Sequence, residues 1–114
     1  MEGRERKIEA SRITWVPQAT IKVPIGVLEK DCGLHFFEGW DDLDVYRGTE
    51  VLHVDGHPYV LRHYGGDPLN QVGVYLPFEV NHLDKITELV RAVLKQLRVS
   101  QNTVTWQRAS ASSR

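Results

Sequence analysis

Residues 54–68 read VDGHPYVLRHYGGDP and hold two histidines, an arginine and two aspartates within fifteen positions. Arg62, His63 and Asp67 have the types of an anion binder, a general base and the carboxylate that orients it. Strand geometry separates them. Arg62 and His63 are adjacent, so in an extended chain they point to opposite faces. His57 and His63 share a face with Tyr59 and Leu61, but six strand positions put them about 20 Å apart. One metal ion binds ligands at about 2 Å and cannot span that gap. Gly65-Gly66 lacks the lysine and serine or threonine of a phosphate-binding loop, and no Gly-x-Ser-x-Gly elbow is present. No catalytic residue, metal or cofactor is therefore assigned. A ligand-binding or catalytic pocket between sheet and helix, built on His57, Tyr59 and His63, stands as the alternative reading.

Carboxylates form the next cluster. Glu38, Asp41, Asp42 and Asp44 fall within seven positions, and Asp42-x-Asp44 has the start of a calcium loop. The bidentate glutamate that closes such a loop is missing, so 38–44 reads as a solvated acidic loop. Aromatic residues are the third group: Phe36, Phe37, Trp40, Tyr46, Tyr59, Tyr64, Tyr75 and Phe78. Tyr64 and Tyr75 fall on neighbouring strands together with Val60 and Arg62, and these types anchor protein interfaces. Trp40, Asp41, Asp42, Asp44, Val60, Arg62, Tyr64 and Tyr75 are the expected partner-binding residues.

These side chains need elements to hold them. Glu50–Val54, Pro58–Tyr64 and Gln71–Leu76 are runs rich in Val, Leu and Tyr. Asp55-Gly56 separates the first two, a strong signal for a two-residue hairpin with positive φ at both central positions. Gly65-Gly66-Asp67-Pro68 marks the second corner, which predicts a three-stranded antiparallel meander. Residues 12–23 alternate like strands, but Pro17 and Pro24 assign them to short or edge strands. IGVLEKDCG is either a strand continuation or one helical turn. Residues 33–37 are a further strand candidate, and 103–107 a last one. From 81 to 98 apolar residues recur at 83, 86, 89, 90, 93, 94 and 97, the stripe of an amphipathic helix capped by Asn81.

The expected fold is α+β: an antiparallel sheet of about four to six strands with one long C-terminal helix on one face. A single domain over 12–108 follows a flexible 1–11 segment and precedes a disordered 109–114 tail. Only one face of the sheet can meet the helix, and the other is too apolar to be left in water. Cover by the N-terminal strands and contact with a partner or a second copy both answer that.

Bulk composition narrows the class. With 114 residues, 41% hydrophobic and 25% charged, the chain is long enough for one core. Its net charge of −1 argues against general nucleic-acid binding. Charge is uneven: between 29 and 55 eight acids stand against Lys30 and Arg47, while both flanks are basic, so the acidic middle is suited to a protein partner with a basic contact surface. No apolar run can span a bilayer, no secretory signal opens the chain, and Cys32 has no partner for an internal disulfide. Together these predict a small cytoplasmic, non-enzymatic binding or regulatory protein that self-associates, without nucleic-acid or membrane partners.

Overall fold

The computed structural model describes residues 13–40, 44–68 and 70–108. The segments expected to be flexible (1–11) and disordered (109–114), together with Asp41 and Asp42, lie outside the described residues. The chain is α+β. Its elements run β1 (Trp15–Ile21), α1 (Ile25–Cys32), β2 (Phe37–Trp40), β3 (Val45–Gly48), β4 (Leu52–Val54), β5 (His57–Tyr64), β6 (Val72–Pro77), α2 (Leu83–Leu97) and β7 (Val104–Gln107). The seven strands form an antiparallel sheet in the order β2-β3-β5-β6-β1-β7, with β4 also pairing β5. The long helix packs on one face, as its apolar stripe requires. Ile86, Leu89, Val90, Val93, Leu94 and Leu97 are all buried in one core with Tyr59, Leu61, Val72, Val74 and Leu76.

The meander forms as its turns dictate. Asp55 and Gly56 both have positive φ, 50° and 78°, and Val54 pairs with His57 across the two-residue loop. At the next corner the Asp67 N–H donates to the Tyr64 carbonyl at 2.9 Å, while the Asp67 carboxylate accepts from the Tyr64 N–H. The helix cap falls at His82 rather than Asn81, and no side chain makes the capping bond.

Three expectations change between residues 25 and 48. Residues 38–44 are not simply a loop: β2 and β3 form a hairpin that adds two short strands to the meander, so the sheet exceeds the expected four to six. The strand expected at 33–37 begins only at Phe37, and Phe36 before it is buried in the core. IGVLEKDC is a two-turn helix that starts after Pro24, buries Leu28 and ends at Gly33 with φ 68°. That left-handed cap is what glycine makes inexpensive.

The proline-bearing strand moves furthest from expectation. β1 lies inside the sheet, between β6 and β7. Pro17 is tolerated there because the register shifts between Pro17 and Ala19, and because β7 pairs only with Ala19–Ile21. The N-terminal strand therefore extends the sheet sideways and does not cover its second face.

Candidate functional site: the helix-free face of the sheet

Alternation along each strand, carried across by the register, defines the two faces. Tyr59 and Leu61 point to the helices. Val60, Arg62 and Tyr64 point away, sharing their face with Tyr46 and Gly48 of β3, Gly73 and Tyr75 of β6, and Gly39 of β2. Both helices pack on the opposite side, where Leu28 and the α2 stripe join the core. Pro17 and Thr20 of β1 and Trp106 of β7 continue the same face, with Trp106 47% exposed.

Arg62 is the centre of this surface. Its guanidinium carbon lies 4.2 Å from the centroid of the Tyr46 ring and 5.8 Å from that of Tyr75. Nη1 donates to the Tyr64 hydroxyl at 3.2 Å. The rings themselves form a row: Tyr46 and Tyr64 are 5.2 Å apart, Tyr64 and Tyr75 6.1 Å, each pair inclined by about half a right angle. A planar cation held against an aromatic face is attracted by the ring quadrupole and keeps its in-plane donors for hydrogen bonds. All four side chains are half-buried, so they are fixed in place while part of each stays accessible.

Glycines let the rings lie flat. A Cβ on Gly39 would sit 2.8 Å from Tyr46 Cζ, and one on Gly73 would sit 2.7 Å from Tyr75 Cε1. Gly39 is the cross-strand partner of Tyr46, and Gly73 precedes Tyr75 by two positions on the same strand. A ring laid over a glycine shields backbone that would otherwise be wet, the aromatic rescue seen in sheets. The result is an aromatic surface in which the Tyr46 and Tyr75 rings take the places of missing side chains.

The structure brings together Arg62, Tyr64 and Tyr75 of the expected partner-binding residues. Val60 is on their face but is 1% exposed, which makes it support for the surface and not part of its outer layer. Trp40, 80% exposed, sits at the end of β2 on the other face, and Asp44 is spent locally, accepting from the Val45 N–H at 2.7 Å. Tyr46, one of the aromatic residues of the sequence but not among the expected partner-binding ones, joins them here; VYRG alone is too short a strand signal to place it. The glycines carried no signal without the register.

The alternative pocket does not assemble. His57, Tyr59 and His63 share a face, but Tyr59 is fully buried and its hydroxyl donates to Gln96 Oε1 at 2.5 Å. His57 Nδ1 is 3.0 Å from the Asp55 carbonyl at one end of β5, and His63 Nδ1 is 2.7 Å from the Gln71 carbonyl at the other. Among the described residues no three His, Cys, Asp or Glu side chains converge to hold a metal ion. No helix among them is long and apolar enough to cross a membrane.

No family model matches this sequence, and comparisons with curated proteins and with solved structures return no match. The fold class is thus set by the coordinates, and the site is read from its own chemistry.

Proposed function

We propose that this protein is a small non-enzymatic binding protein that acts through the helix-free face of its sheet and self-associates across it. The observation that carries the reading is the Arg62 guanidinium stacked on Tyr46 and bonded to Tyr64, on a sheet face that neither helix covers. Tyr and Arg are types that dominate interface energetics: Tyr buries a large rigid ring, and the Arg guanidinium combines a stacking face with several in-plane donors. Two such faces stacked at about 10 Å make the inner layers of a sandwich. The Cys32 thiol, engaged as a donor to the Leu97 carbonyl, supports residence in a reducing compartment such as the cytoplasm.

Sedimentation and light scattering over a wide concentration range test this. The expected result is a reversible dimer of the 13.1 kDa chain. Tyr64→Ser and Arg62→Ala should each weaken it by at least about tenfold, with unchanged circular dichroism. A wild-type chain that stays monomeric at millimolar concentration, or a dimer indifferent to both substitutions, overturns the reading.

A further inference from the structure

The sheet ends beyond Tyr46 at β2, and that edge is a second surface with a different chemistry. Among the described residues β2 pairs with β3 alone, so alternate residues of Phe37–Trp40 direct their N–H and C=O groups away from the sheet. The apolar side chains around it are open to water: Trp40 is 80% exposed, its cross-strand partner Val45 40%, and Phe37 46%. Lysine, proline and bulges are the usual devices that blunt an edge, and the strand FEGW has none of them.

Charge marks the edge instead. Glu38 is exposed on β2 and Asp44 is exposed at the start of β3. The surrounding sequence from 29 to 55 holds eight acids against Lys30 and Arg47. Arg47, the cross-strand neighbour of Glu38, has its guanidinium 3.9 Å from the Glu29 carboxylate. A second β2 brought edge to edge would set like charges side by side, which destabilises cross-strand pairing. A basic strand meets the opposite situation.

We propose that the β2 edge accepts an extended, basic segment of another protein as an added strand. Main-chain bonds to β2 would supply affinity, and alternate side chains would supply selectivity. Glu38 and Trp40 share one face, so lysine or arginine at every second position of the incoming strand meets a carboxylate and then an indole ring. The intervening residues share the face of Phe37, where apolar side chains fit.

The test uses a synthetic octapeptide of alternating arginine and valine, followed by amide-resolved NMR titration of the full chain. Two control peptides accompany it: one with glutamate for arginine, and one N-methylated at alternate residues on its pairing edge. Expected is a perturbation centred on residues 37–40, with no binding of either control. Affinity should fall about tenfold for Trp40→Ala, whose exposed ring leaves the fold untouched. It should also fall steeply between about 50 and about 500 mM salt, and Glu38→Gln should flatten that salt dependence. Binding of the N-methylated peptide, perturbation centred on Tyr46, Tyr64 and Tyr75, or absence of binding overturns the proposal. So does a homo-oligomer in which β2 contacts β7 of another copy.

Discussion

The hydroxyl of Tyr59 donates to Gln96 Oε1 at 2.5 Å, and the same amide donates onward to the His53 carbonyl at 3.0 Å. One phenol therefore clasps α2 to β4 through a single side chain. Burial holds the Tyr59 phenol far above the ordinary tyrosine range, with the nearby Cys32 thiolate charge adding to the effect. Because the folded chain keeps this proton and the unfolded chain releases it near pH 10, the contribution is present in full below about pH 10 and is lost as pH rises further. Tyr59→Phe should cost about 1 kcal/mol near neutrality, through the lost hydrogen bond. Urea unfolding of the two chains between about pH 8 and about pH 11 checks the sign: the wild-type advantage should shrink on the alkaline side. At this scale the sequence groups Tyr59 with Leu61 and His63 on one stripe, and only the alternative pocket reading sets it between sheet and helix, as a ligand handle. Gln96 lies 37 residues away, and only the packing of α2 makes it a partner.

Between β3 and β4 the chain leaves the ladder for a few residues, although both strands flank β5. Thr49 bridges the gap. Its N–H donates to the Leu61 carbonyl at 3.0 Å, and its hydroxyl accepts from the Leu61 N–H at 3.1 Å, so a side chain stands in for a missing backbone acceptor. Leu61 is fully buried, which leaves water no easy access to that N–H. Thr49→Val keeps the shape and removes the acceptor, and should cost about 1–3 kcal/mol. Denaturant unfolding measures this, and faster exchange of the Leu61 amide should accompany it. The elements most legible in sequence were those whose signals are local: the Asp55-Gly56 turn, and the α2 stripe. The β2–β3 hairpin was hidden because Glu38, Asp41, Asp42 and Asp44 read as solvated loop. Its four-residue strands carry too few apolar positions to show a period.

Across the whole molecule, the placement of β1 decides how the sheet is closed. β1 joins β6 to β7, and its Ala19 and Ile21 are buried in the core. Native-state hydrogen exchange should therefore find the amides of Ala19 and Ile21 opening only with global unfolding, and those of β2 exchanging fastest among the strands. Equal protection of β1 and β2 would contradict that order. Sequence alone points to short or edge strands here because a proline removes a ladder donor, and the bulge that absorbs Pro17 is a property of the pairing with β6, not of the strand itself. The two faces were legible from alternation alone. Which strands would sit side by side was not, since register partners such as Ile21 and Val72 belong to distant parts of the chain.

That ordering has a consequence for synthesis. Trp15–Ile21 leaves the ribosome before its partner Val72–Pro77, which must be translated before β1 can make that pairing. At about 5–20 residues per second the wait lasts some seconds. Throughout it, a β-branched, tryptophan-led segment has both edges open in a crowded cell. Pro17, an oddity in a central strand, is then a gatekeeper for the nascent chain: it denies one donor to any stranger that would pair with β1 first.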